Sequence, residues 1–108
     1  MENDSSKPKS DSKVLVPTPL IQNLKEGDRV AADFVIRGWA SPGGATVVVK
    51  NSNAPYQQFG TAQVTFPTVW EFSLSKHSMG PGSYKISAYT HAGPQISHPT
   101  NPLSFEVS

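Results

Sequence analysis

The feature that most constrains this chain is the placing of an apolar residue at every second position in a series of short segments. They read Phe34-Val35-Ile36-Arg37-Gly38, Val47-Val48-Val49, Trp70-Glu71-Phe72-Ser73-Leu74, Tyr84-Lys85-Ile86-Ser87-Ala88 and Leu103-Ser104-Phe105-Glu106-Val107. A period of two belongs to a strand with one face buried and one face in water. Clusters of Gly, Pro and Asn separate the segments, which is the pattern of a small sandwich or barrel. No stretch of helical length carries a 3.6 period. The expected class is all-β, a two-sheet antiparallel sandwich of seven or eight strands.

The first strand is expected at residues 14–22, where Pro17 and Pro19 cannot donate to a ladder. It therefore sits at a sheet edge or passes from one sheet to the other. Lys25-Glu26-Gly27-Asp28 is a turn. A second strand at 33–40 turns Phe34, Ile36 and Gly38 to one face and Val35, Arg37 and Trp39 to the other. Pro42-Gly43-Gly44 leads into a third strand at 45–50, where consecutive valines hide the inward face. Asn51-Ser52-Asn53-Ala54-Pro55 is a loop, and a weaker strand at 61–66 is stopped by Pro67. Strands at 70–75 and 83–91 flank the Gly80-Pro81-Gly82 turn. Ala92-Gly93-Pro94-Gln95 closes a hairpin into a last strand at 96–107, which Pro99 and Pro102 mark as an edge. The expected core is Phe34, Ile36, Trp70, Phe72, Leu74, Tyr84, Ile86, Leu103, Phe105 and Val107. Arg37 and Glu71 should pair across neighbouring strands on the outer face.

Composition narrows the partners. The chain has 108 residues, a formal net charge of +1 and no cysteine. That length fits one domain, and the lack of thiols removes disulfides and thiolate metal sites. The nine cationic residues are scattered, without the basic stripe of a nucleic-acid binder. No apolar stretch is long enough for membrane insertion. Met1-Glu2-Asn3-Asp4-Ser5-Ser6 lacks the pattern of a secretory signal. Residues 1–13 carry Lys7, Lys9 and Lys13 against Glu2, Asp4 and Asp11, with no large apolar residue beyond Met1. Such a composition predicts a disordered tail, and 14–108 are expected to form the domain.

Five stretches together resemble a known family. They are Phe34-Val35-Ile36-Arg37-Gly38-Trp39-Ala40-Ser41-Pro42-Gly43, Ala45-Thr46-Val47-Val48-Val49, Val69-Trp70-Glu71-Phe72-Ser73-Leu74, Gly82-Ser83-Tyr84-Lys85-Ile86-Ser87-Ala88, and Ile96-Ser97 leading to Leu103-Ser104-Phe105-Glu106-Val107. In order and spacing they are similar to the bacterial immunoglobulin-like modules found in tandem in surface adhesins and other large secreted proteins. The resemblance covers most of the chain after Lys13. It implies an immunoglobulin-like antiparallel sandwich, a non-enzymatic spacer or binding role, and an extracellular or cell-surface setting. Gly38 should stand where a neighbour approaches closely. Tyr84 follows a Gly-Pro-Gly turn, where sandwich domains place a tyrosine that hydrogen-bonds back to the turn. Phe66-Pro67-Thr68-Val69 replaces the Asp-Gly turn usual before the tryptophan strand, so that turn should differ. One copy is present, without an internal repeat.

Chemistry is sparse. His77, His91 and His98 have no locally linked acid, and no serine stands in a Gly-x-Ser-x-Gly elbow, so no hydrolytic triad is legible. If the Gly93-Pro94 hairpin pairs His91 with Ile96, Tyr89 faces His98. Two imidazoles without a third ligand leave a transition-metal site incomplete. Glu26-Gly27-Asp28 with Asp33 is thin for calcium and reads better as an acidic turn. Pro42-Gly43-Gly44 opens no helix and so offers no phosphate cradle. No catalytic residue, cofactor or metal ligand is expected.

Aromatics outside the core are the remaining lead. Trp39 falls on the face opposite Phe34 and Ile36, Tyr56 and Phe59 lie in or beside a loop, and Tyr89 points outward. Such residues anchor protein partners or stack on sugar rings. The expected function is a non-enzymatic interaction or spacer module of a bacterial surface, secreted or injected protein. It is expected to be a monomer that binds a protein partner through its surface. The alternative is a small carbohydrate-binding module around Trp39. An exposed coplanar aromatic pair would favour sugar, and an exposed strand edge would favour protein contact. A deep polar pocket holding a histidine and an acid would favour an enzyme.

Overall fold

The alternating segments fold as strands of two stacked sheets. A computed structural model describes residues 16–65 and 67–108. The expected tail at 1–13, the start of the first expected strand and Phe66 lie outside the described residues. In chain order the strands are β1 Leu20–Ile21, β2 Asp28–Val30, β3 Val35–Trp39, β4 Thr46–Asn51 and β5 Gln58–Gln63. They continue as β6 Val69–Ser73, β7 Gly82–Ala92, β8 Gln95–Ile96 and β9 Leu103–Val107. The smaller sheet runs β1-β3-β6, and the six-stranded sheet runs β2-β9-β7-β4-β5 with β8 also beside β7. No helix among the described residues is long and apolar enough to cross a membrane.

The inward residues of the two sheets meet in one core. Ile36, Trp70 and Phe72 come from the small sheet; Val47, Val49, Ile86, Ala88, Phe105 and Val107 come from the large one, and all are buried. Leu74, Leu24 and Met79 belong to the same core. Gly38 has no room for a side chain, because a Cβ there would lie 2.6 Å from Trp70 Nε1. The indole instead reaches across and donates to the Trp39 carbonyl at 3.1 Å. Tyr84 donates its hydroxyl to the Gly80 carbonyl at 2.7 Å, bonding back to the turn before it. Arg37 stands opposite Glu71, with Nε 2.8 Å from Oε2.

Several expectations need correction. Phe34, Tyr84 and Leu103 pack against the core but stay partly exposed: Phe34 precedes β3, Leu103 opens β9, and Tyr84 lines a surface cleft. The topology is mixed, not purely antiparallel: β2 runs parallel to β9, with Asp28 opposite Phe105 and Val30 opposite Val107. The turn at Lys25–Asp28 explains it. Gly27 adopts a φ of 84° and donates its N–H to the Ser104 carbonyl at 2.7 Å, so the chain leaves the small sheet and joins the large one beside its last strand. The strand expected at 70–75 ends at Ser73, and Ser75–His77 form a 3₁₀ turn. The weaker strand begins at Gln58 instead of Thr61.

The last expected strand is two strands on one flank of β7. Between β8 and β9 the prolines break the ladder, and hydroxyls stand in for carbonyls. Thr90 N–H donates to Ser97 Oγ at 2.8 Å and Ala88 N–H to Thr100 Oγ1 at 3.0 Å. β8 and the proline stretch are an edge, whereas β9 is covered by β2. A side chain also finishes β1. Asn23 donates from Nδ2 to the Val35 carbonyl at 2.9 Å and accepts the Arg37 N–H at 2.7 Å. Its amide continues the β1–β3 ladder where the β1 backbone has turned away.

Candidate functional site

The outer face of the large sheet is set by the β4–β7 register. Lys50 lies opposite Ser87, Val48 opposite Tyr89 and Thr46 opposite His91. Val47 and Val49 point into the core, so Lys50 and Tyr89 project outward as diagonal neighbours. Lys50 Nζ is 5.9 Å from the Tyr89 ring centroid and 5.6 Å from the Tyr56 ring centroid. One ammonium group thus lies between two tyrosines.

Tyr56 reaches Lys50 because of how the β4–β5 loop closes. Asn51 N–H donates to the Gln57 carbonyl at 2.7 Å, and Tyr56 N–H to the Asn53 carbonyl at 2.7 Å. Asn51 Oδ1 accepts the Asn53 N–H at 3.0 Å. The closure holds Tyr56 at a φ of 61°, a left-handed conformation unusual for a residue with a large side chain. Its side chain stays exposed, at 58%. Exposed cation–π contacts of this kind are worth about 0.5–1 kcal/mol each.

Phe59 is not part of this face. The β4–β5 register shifts between Val49 and Lys50, a bulge that pairs Lys50 with Gln58. One extra residue reverses the alternation. Phe59 therefore turns inward and packs edge-on against Tyr84, centroids 5.7 Å apart, while Tyr84 stacks on Phe105 at 5.6 Å. A surface cleft of about 520 Å³ lies beside this trio, also lined by Asn53, Lys85 and Glu106, with no histidine among its lining residues.

Trp39 lies on the other sheet. The register places Leu20, Trp39 and Val69 in one row across β1, β3 and β6. Leu20 and Val69 are exposed, and Trp39 is half-buried between them. Of the four aromatics singled out from the sequence, the structure therefore joins Tyr56 and Tyr89 and leaves Phe59 and Trp39 apart. Lys50 is the member that sequence reasoning missed. Its signal was the inward parity of Val47 and Val49, which the third consecutive valine concealed.

His77, Glu26 and Asp28 have structural partners. His77 stacks on Phe72 at 3.9 Å and 12°, with Nδ1 2.8 Å from the Ser73 carbonyl. His91 pairs with Ile96 as the hairpin register predicted, but the ladder stops there and does not bring Tyr89 opposite His98. Glu26 accepts the Ser104 N–H at 2.8 Å and Asp28 accepts the Lys25 N–H at 2.8 Å, so both carboxylates serve the turn into β2. Among the described residues, no three His, Cys, Asp or Glu side chains group closely enough to hold a metal ion. A scan against protein-family models gives no match, and a search of curated proteins finds no similar sequence.

Proposed function

We propose that this domain is an immunoglobulin-like interaction module that binds a protein partner and carries out no chemistry. The strand order supports the first part. A leading strand at the edge of one sheet, a following strand beside the last strand of the other, a central tryptophan and a tyrosine bonded to its turn make a coherent sandwich of that kind. The observation that carries the second part is the Tyr56–Lys50–Tyr89 cluster on the open face of the large sheet. Tyrosines are among the residues that dominate protein interfaces, and the Lys50 ammonium gathers these two at one place on the sheet. A setting in a surface, secreted or injected bacterial protein accompanies this reading. The alternative of a sugar site at Trp39 has less support, because its cross-strand neighbours Leu20 and Val69 are aliphatic and bring no hydrogen-bonding groups to sugar hydroxyls.

The test is a photo-crosslinking residue at Gln58, beside Lys50 in the register. The captured protein is identified and its affinity measured for the wild-type domain and for Tyr56→Ala, Tyr89→Ala and Lys50→Ala. Each substitution is expected to weaken binding by about tenfold or more, the loss of an interface anchor. Unchanged affinity in all three folded variants removes this face from the function.

A further inference from the structure

Every open sheet invites a strand, and natural proteins blunt their edges with short strands, prolines, charges or caps. Four edges here are blunted. β1 has two residues and follows Pro17 and Pro19. β8 has two and lies between Pro94 and Pro99. β2 has three, with Arg29 bound to Glu106 at 2.8 Å. On β6, Thr65 bonds both the N–H and the carbonyl of Val69, His77 meets the carbonyl of Ser73, and the charged Glu71 lies between.

β5 has its bulge at Phe59, and over 60–63 it has, among the described residues, none of these devices. It is six residues long, with neither a proline nor a charge, and the chain carries no charged residue between Lys50 and Glu71. Val64 donates its N–H to Ala45 and accepts from Gly44, both at 2.8 Å. Ala62 and Gly60, of the same parity and in register with Val47 and Val49, direct their peptide groups to β4. Alternation turns the N–H and C=O of Thr61 and Gln63 to the free edge. Both residues are exposed.

We infer that β5 pairs with β5 of a second copy of this chain, antiparallel about a two-fold axis at Ala62. Thr61 then exchanges both backbone hydrogen bonds with Gln63 of the copy, and the reverse pair follows by symmetry. Self-pairing is favoured over a foreign strand by the chemistry of the edge. A neutral strand meets itself without like-charge repulsion, and the small Ala62 lets the backbones close at the axis. Gln63 already donates from Nε2 to Thr46 Oγ1 at 3.2 Å, which leaves its amide oxygen to accept the Thr61 hydroxyl of the copy. The pairing uses a different surface from the Lys50 face and does not rest on the reading of that face.

An edge contact this small is below the area of a stable interface, so the dimer is expected to be weak. Sedimentation velocity of the full chain, up to about 1 mM, is expected to show a reversible monomer–dimer equilibrium. Gln63→Lys, which brings cations together across the axis, and Thr61→Pro, which removes an outward N–H, should each weaken it by about threefold or more. Hydrogen exchange on the wild-type chain needs no variant to fold. The Thr61 and Gln63 amides should slow as concentration rises, and the Glu71 amide should not. A chain monomeric at the top concentration, a dimer indifferent to both substitutions, or concentration-dependent protection that leaves out Thr61 and Gln63 overturns the inference.

Discussion

β5 and β6 lie on the same flank of the sandwich, one at the edge of each sheet, and they are finished in opposite ways. β6 is sealed along its length by Thr65, Glu71 and His77, and it holds Trp70 and Phe72 in the core. β5 contributes only Ala62 to the buried core and, among the described residues, leaves its edge bare. The strand that the core depends on is the protected one. The strand whose backbone is open can be engaged from outside without disturbing that core. His77 joins the two, since a Cβ on Gly60 would lie 2.7 Å from its Nε2 while its ring covers Phe72.

The largest expected difference between them is in stability. Trp70→Ala leaves a cavity beneath β6 and should cost about 3–5 kcal/mol, read as a lowered urea midpoint, whereas Thr61→Ala on β5 should change it by less than about 0.5 kcal/mol. Comparable losses at the two sites would erase the contrast. Next comes the seam. Gly60→Ala should cost about 1–3 kcal/mol by overpacking His77. In a His77→Ala background the same change should cost almost nothing, and a double-mutant cycle that shows no coupling would remove His77 as the link.

Unpaired polar groups sharpen the comparison further. The free peptide groups of β5 face water, where they cost little. Thr90 Oγ1 is buried without a hydrogen-bond partner among the described residues. Thr90→Val should therefore raise stability by about 1 kcal/mol, while Thr61→Val should be neutral. A destabilised Thr90→Val protein would show that the hydroxyl has a partner after all. The smallest effect on stability is expected from Glu71→Thr, which breaks an exposed ion pair with Arg37 worth less than about 1 kcal/mol. Its informative readout is association, because it gives β6 the neutral edge that β5 already has. Unaltered sedimentation would assign the protection of β6 to Thr65 and His77 alone.

Strands that pack on the opposite sheet were legible from sequence. In β3, β6, β7 and β9 the inward residues had to be apolar, and their parity survives in the letters. β2 was not legible, because three residues with two charges carry no period and their partner β9 is remote in the chain. Phe59 reads as in or beside a loop because Gln58-Phe59-Gly60 carries no apolar alternation, yet β5 begins at Gln58 and its bulge turns the ring inward. The Tyr56–Lys50–Tyr89 cluster needed two things that no local pattern encodes: the register between β4 and β7, and a tyrosine held in a left-handed turn.

The parallel β2–β9 pair has a mechanical consequence. Tension applied between the stretch before Asp28 and the end of β9 pulls the two strands along their own axes in opposite directions. Their bonds are then loaded in shear and must yield together, whereas an antiparallel pair gripped at one end would open bond by bond. The Gly27 N–H on the Ser104 carbonyl at 2.7 Å and the Ser108 N–H on the Val30 carbonyl at 2.9 Å bracket the pair at its two ends. The Arg29–Glu106 ion pair lies between them. A sandwich fastened in this way holds its length under load until the fastening fails as a unit.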